Sequence, residues 1–323
     1  MSRPRVLVAC DRIGGLHSAT AGRAVASGFA AVADVAVLPL AAGGPDLATA
    51  LAGLLPGTVH REGPGWWLAT SDTIVVGFGQ PSRPSWAPDA TTRDLGDWLR
   101  LALDGRDQPR VVLDLTGVTA HDAGAGLLAA GGVPTGRELV GLVPAAELGL
   151  PATGAVGMLA RRAHGAGLDL ADLLAADAGL RDWIDAEAPG LGSVPGSGAA
   201  GGAALVVLAH GGHLMSATQF CYRIADAGRT VRAADLVVTG CTELSALDRG
   251  GEVVSAVAEW AAEAQRPCIA FTTGTSLSSR EVRTFGLESA HPLPDPVTPD
   301  GVQTVAARIA GGWFPARGWR DVH

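Results

Sequence analysis

Short apolar runs alternate with longer amphipathic stretches along this chain. The runs Arg5–Cys10, Ala36–Leu40, Arg110–Leu115, Glu138–Val143, Asp235–Thr239 and Cys268–Thr272 carry charge only at or next to their ends. Strands covered on both faces read this way, and helical stretches between them predict a parallel sheet. Between the first two, "SATAGRAVASGFAAV" has helical spacing, with Ser18 as the predicted N-cap because its hydroxyl accepts a first-turn amide. Residues 58–80 alternate instead, as two strands of an antiparallel hairpin; "PSRPSWAPD" then breaks regular structure before a helix over Leu95–Leu103. Residues 144–194 are helical in pattern, as in "LDLADLLAADAGLRDWIDAEA", and run into "PGLGSVPGSG". The predicted fold is α/β with two domains. Residues 1–57, 108–143 and 195–323 form a Rossmann-like parallel-sheet domain; residues 58–107 and 144–194 form an inserted second α/β domain.

The chain has 323 residues, enough to bury two cores. A net charge of −8 argues against a nucleic-acid footprint. No run of eighteen apolar residues occurs, and the start "MSRPRVLVACD" leads directly into a strand, so neither a membrane span nor a secretory leader is expected and the setting is cytoplasmic. Cys10, Cys221, Cys241 and Cys268 lack metal-ligand spacing and are expected to be buried reduced thiols. All 24 basic residues are arginine. Arginine suits forked anion contacts but does not imitate the compact, mobile ammonium of lysine at a transferring phosphate.

Four glycine-rich turns follow predicted strands or open helices: "CDRIGGLHSA" at 10–19, "LAAGGPD" at 40–46, "TGVTAHDAGAG" at 116–126 and "PGSGAAGGAAL" at 195–205. Strand-to-helix turns of a parallel sheet emerge at its carboxyl edge, where they can meet in one cleft. Glycines let backbone amides approach an anion, and a helix start adds partial positive charge. In the third turn, His121 and Asp122 read equally as part of an anion cradle, as a metal edge or as a helix cap. His210 and His213 in "HGGHLM" have no third ligand nearby, and the two glycines between them mark a helix end. Trp66 and Trp67 sit in the hairpin, where alternation sends one of them into the core.

These turns resemble those of the bacterial glycerate kinase family. "ACDRIGGL" is similar to that family's A-P-D-S-F-K-G-S loop, "AAGGPD" to A-D-G-G-E-G, "TGVTAHDAGAG" to G-G-S-A-T-N-D-G-G-A-G and "GSGAAGG" to G-A-G-A-A-G-G. "DLVVTGCTELSALD" matches a strand followed by T-G-E-G-R-L-D-x-Q-T, and "TTRDLGD" resembles T-S-Y-G-T-G-E. The side chains diverge more than the backbone-shaping residues. Gly14 stands at a lysine position, Ala42 and Pro45 at an Asp and a Glu, and His121 at an Asn. Cys241, Glu243 and Ser245 replace Glu, Arg and Asp, and Glu252 stands at a lysine position. An F-G-P-Q-K-G segment is missing, with "RRAHGAG" at 161–167 roughly in its place.

The resemblance implies ATP-dependent phosphorylation of D-glycerate with Mg²⁺. Asp11, His121 and Asp122 are then the candidate catalytic residues, with Asp122 also the candidate metal ligand. Arg12, Gly15, Ser18, Gly43, Gly44, Thr92, Gly96, Asp97, Gly117, Gly198, Gly201, Gly202, Thr239 and Gly240 are candidates for binding substrate or nucleotide. The substituted polar positions make the expected activity weak or altered. The alternative is a catalytically inactive relative that binds a metabolite or a protein partner. Expected partners are a nucleotide and a small acidic or phosphorylated metabolite, with no nucleic acid and no membrane; a homodimer or a protein partner stays open.

Overall fold

In the computed structural model, residues 3–78, 90–131, 133–161 and 170–315 are described here. The segment 81–89 and most of the "RRAHGAG" segment, 162–167, lie outside them. The chain separates into two units: residues 1–42, 49–54 and 218–323 make the first, and 43–48 with 55–217 the second.

The first unit is built on a five-stranded sheet of β1 (Arg5–Cys10), β2 (Asp34–Pro39), β9 (Leu236–Leu244), β10 (Cys268–Thr275) and β11 (Ser289–Pro292), in the order β11-β10-β9-β1-β2. Every pairing is parallel. Val6, Val8, Cys10, Leu236, Val238, Ile269 and Phe271 face helix α1 (Ser18–Phe29) and helix Pro299–Trp313 in one cluster. The alternate residues Leu7, Ala9 and Val237 are also buried, so both faces are covered and the runs read as continuously apolar. Strand β9 runs past the expected Thr239 to Leu244, because Cys241 and Glu243 still pair with Thr272 and Gly274. Helix Pro299–Trp313 starts as its sequence dictates: Pro299 occupies the first turn and the Thr298 hydroxyl accepts from Gly301 N.

The second unit holds a six-stranded sheet: β3 (Val59–Glu62), β4 (Gly65–Ala69), β5 (Thr73–Phe78), β6 (Arg110–Asp114), β7 (Glu138–Leu142) and β8 (His213–Met215), in that order. The first two pairings are antiparallel and the other three parallel. The expected hairpin is thus three strands. Its last strand, β5, connects through α3 (Arg93–Leu103) to its parallel partner β6.

This corrects the expected domain division. Residues 108–143 and 195–217 are expected in the Rossmann-like domain, yet β6 and β7 pair with β5 and β8 in the second sheet. An apolar run specifies that a strand is buried on both faces; it carries no record of which sheet buries it. Ser18 is also corrected as an N-cap: His17 takes that position, and Ser18 is the first helical residue, its buried hydroxyl without a hydrogen-bond partner. Among the described residues, no helix is long and apolar enough to cross a membrane.

Candidate functional site

Numbered within the first unit, its strand order is 2-1-3-4-5, a doubly wound arrangement whose reversal falls between β1 and β9. Ligands of such sheets bind outside the carboxyl ends of the strands at that reversal. Asp11, Arg12 and Gly15 leave β1 there, and Thr239 and Gly240 lie in β9 beside them; Asp11 N donates to Gly240 O at 3.2 Å. The Asp11 carboxylate accepts Arg12 N at 2.7 Å, and Gly14 N donates to Thr242 Oγ1 at 3.0 Å. Gly15 is exposed, and a side chain there would meet nothing. Gly240 is different: a Cβ would approach Ile13 Cδ1 to 2.5 Å, so packing alone already requires glycine there. The Thr239 hydroxyl is buried without a hydrogen-bond partner. Desolvation by burial is the main cause that pushes the Cys10 and Cys241 thiols up to about 12, so neither is a thiolate at this edge.

In the second unit the turn after β6 carries His121 and Asp122 into the short helix α4 (Ala125–Ala129), preceded by Ala123 and Gly124 in left-handed conformation. Five donor groups converge on the Asp122 carboxylate. Thr91 Oγ1 and Thr92 N reach Oδ2 at 2.9 and 2.8 Å, and the Thr92 hydroxyl reaches both oxygens at 3.0 and 3.1 Å. Gly124 N and Gly126 N donate at 3.1 and 3.0 Å. Leu127 N donates to Thr92 Oγ1 at 2.9 Å, which leaves that hydroxyl's proton for the carboxylate. Asp122 therefore ties together the starts of α3 and α4, where unsatisfied amides and the helix dipoles favour negative charge. A carboxylate offers about four lone-pair directions, and donors from the protein fill them.

Two further carboxylates do the same work, and neither was singled out from the sequence. Asp114, buried at the end of β6, accepts Gly44 N at 2.6 Å at the start of α2 (Gly44–Ala52), together with the amide and hydroxyl of Thr116. Glu147 Oε2 accepts Ala200 N at 2.8 Å in the Ala199–Gly202 turn, where Ala200, Gly201 and Gly202 have φ of 53°, 63° and 83°. Here a carboxylate of the chain itself meets the Ala200 amide, while Gly202 N donates to Gly198 O. The legible signal was an acidic residue ending an apolar strand, "VVLD", ahead of a Thr-Gly turn.

Packing by itself requires glycine at several of the expected binding positions. A Cβ at Gly201 would lie 1.7 Å from Ala120 O, at Gly198 2.2 Å from Pro151 O, and at Gly202 2.9 Å from Ala123 Cα. Gly43 is pressed on Thr116, and Gly96 on Ala130 across the α3–α4 contact. Asp97 lies on the exposed side of α3, paired with Arg100 at 3.1 Å and outside the Asp122 network. Gly117 sits half-buried in the turn after β6. Thr92, by contrast, is brought directly onto Asp122. His210 closes helix Ala204–Ala209 with its Nδ1 on Val206 O, and among the described residues no three metal-ligating groups cluster. Trp66 is core, while Trp67 stacks on His60 with ring centroids 4.9 Å apart.

A pocket of about 310 Å³ opens beside the turn, between His121–Ala123 and helix α5 (Leu170–Glu187). Trp183 and Leu180 of that helix line it with Leu159.

A solved structure described as "putative glycerate kinase 2" from Salmonella typhimurium LT2 superposes with a TM-score of 0.75, covering 97% of this chain and 98% of that one at 18% identity, a likeness of fold. Uncharacterized proteins from Mycobacterium bovis and Mycobacterium tuberculosis are each 28% identical over 317 residues, spanning 88% of this chain and 83% of the relative. The model of the glycerate kinase family matches residues 136–306, a stretch that includes β7 to β11 and the Ala199–Gly202 turn. With more than half its length matched, the chain belongs to the glycerate kinase family.

Proposed function

We propose that ATP-dependent phosphorylation of D-glycerate, the activity implied by the family, is weak or altered in this protein. The observation that carries this reading is the occupation of its anion seats by its own carboxylates. Phosphoryl transfer depends on positive groups that meet the charge of the phosphates, on in-line positioning and on a base near the attacking hydroxyl. The starts of α2, α3 and α4 and the Ala199–Gly202 turn hold Asp114, Asp122 and Glu147 instead. A phosphate brought there meets like charge rather than bare amides.

The residues present do not fit Mg²⁺ at Asp122. A direct bond to the ion would require the carboxylate to release Thr91, Thr92 or a helix-start amide. For proton acceptance the reading keeps Asp11 at the first sheet's edge and His121 beside Asp122 as separate candidates. No lysine supplies a mobile ammonium to the γ-phosphate. Losing one preorganised charge-stabilising group costs about 3–4 kcal/mol, or roughly 10²–10³ in rate. Against ordinary kinase turnover of about 1–100 per second, the loss of even one such group lowers the expected rate to about 0.001–1 per second.

The test is a coupled assay with ATP·Mg²⁺ and D-glycerate, run beside a thermal-shift panel of ATP, ADP, D-glycerate and phosphoglycerates. Turnover in the ordinary range would overturn the reading. The filled anion seats also favour a second reading, a catalytically silent relative that binds a metabolite or a protein partner. Ligand-induced stabilisation with no turnover at all selects it. Four buried free thiols suit the expected cytoplasmic setting.

A further inference from the structure

Asp114 and Asp122 both lie at the carboxyl ends of the strands of the second sheet. At the opposite, amino ends, the last turn of α3 and the loops that enter β6 and β7 border a pocket of about 490 Å³. That volume falls within the range of small-molecule sites, about 300–1,000 Å³. Arg100, Arg106 and Arg137 line it, together with Asp104 and Asp107.

Two of these guanidiniums are fixed in place. Arg106 Nη1 donates to Ala102 O and Asp104 O, both at 3.0 Å, and its guanidinium carbon lies 4.9 Å from the centre of the Trp67 ring. Arg137 Nη2 donates to Arg106 O at 2.7 Å. A guanidinium carries five N–H donors, so most of those on both side chains are left for another acceptor. Arg137 Nη1 is moreover sealed from water with no hydrogen-bond partner. A buried charged donor without an acceptor is costly, and native structures nearly always meet such groups with protein, water or an ion.

Neither carboxylate of the pocket answers this charge. Asp104 and Asp107 are exposed, and among the described residues neither forms an ion pair with Arg106 or Arg137; Arg100 pairs with Asp97 at 3.1 Å. Solvated charges are screened, and the carbonyl end of α3 contributes only about half an elementary charge. Arg106 and Arg137 are both partly buried, which weakens the screening of their own charge. That charge is delocalised over the whole guanidinium, so an oxyanion at its pocket-facing edge offsets it without touching Nη1. A phosphate group, with three acceptor oxygens and nearly two negative charges, matches two such forks better than a singly charged carboxylate.

We infer that the amino end of the second sheet holds an accessory site for the phosphate group of a small molecule, with Arg106 and Arg137 as its anchors. The site shares no residue with the His121–Asp122 turn, and it stands whether or not the protein phosphorylates glycerate.

Isothermal titration with inorganic phosphate tests it, with chloride holding the ionic strength constant. Phosphate is expected to bind the unaltered protein saturably, and acetate at least fivefold more weakly. Arg137→Met keeps an apolar stem and removes the charge. It is expected to weaken phosphate at least tenfold, with a phosphate-free thermal midpoint equal to or above that of the unaltered protein, because the unsatisfied nitrogen is gone. Unchanged phosphate affinity in the folded variant would reduce Arg137 to a brace on Arg106 O and overturn the site. If Arg137→Met misfolds, labelling of arginines by phenylglyoxal, mapped by peptide mass spectrometry, needs no variant. Phosphate should slow the labelling of Arg106 at least threefold and leave the exposed Arg229 of the first unit unchanged. Equal labelling of Arg106 with and without phosphate overturns the site, as does phosphate that fails to saturate or acetate that binds as tightly.

Discussion

Asp122 is the residue where function and architecture compete for the same atoms. Replacing it with alanine strands the Thr91 and Thr92 hydroxyls and three amides at two helix starts. Hydrogen bonds to a charged group contribute about 1.5–3 kcal/mol each, without full additivity. Asp122→Ala is therefore expected to lower unfolding free energy by about 3 kcal/mol or more in urea titration. Asp122→Asn is expected to lose about 2 kcal/mol, because an amide group turns donors toward donors. Near-neutral values for both would return Asp122 to the role of a free ligand group. The glycines divide by the same kind of measurement. Gly44 has φ +65° with open space around its missing side chain, so Gly44→Ala should cost about 1–2 kcal/mol for the left-handed conformation alone. Gly201 shares the conformation, but a Cβ would overlap Ala120 O; Gly201→Ala should exceed about 3 kcal/mol or prevent folding.

Among the elements, the edge strand β11 carries a titrating group. His291 lies half-buried on it, its Nε2 2.9 Å from Ser289 Oγ and its ring near Phe271. Burial, and after it the positive charge of Arg308, push the imidazole below its ordinary value of 6.5. The folded state thus resists protonation more than the unfolded chain does. This contribution is fully present above about pH 6.5 and is lost as pH falls toward the depressed folded value. The urea midpoint should fall between pH 7.5 and pH 5.5, and His291→Gln should reduce that fall. An unchanged slope in the variant would assign the pH dependence to other groups. The helices α2, α3 and α4 show a related economy at their starts: backbone amides that no helical bond satisfies are met by Asp114 and Asp122 from β6 and the turn after it.

For the molecule as a whole, all four cysteines belong to the first unit and are buried. Cys10, Cys241 and Cys268 are each pushed up to about 12, with burial the largest cause. A thiol reagent at neutral pH should label none of the four quickly in the native state and all four after unfolding. The labelling curve should follow the first unit alone; rapid native labelling of any one would show that its burial is not maintained. Much of this architecture was readable beforehand. Strands β1, β6, β7 and β10 begin at their expected residues, because a strand buried on both faces has to be apolar throughout, and that requirement is written locally. The family, too, was legible from the order of the glycine turns. The sheet each strand joins was not, since β6 and β7 would have satisfied either one. Nor did the sequence disclose that Asp114, Asp122 and Glu147 fill helix starts and a left-handed turn, because a carboxylate's partners are chosen by distances across the fold. By itself the sequence determined where strands and glycine turns fall; only tertiary packing decided which glycines are spacers between backbones and which anion seats are already taken.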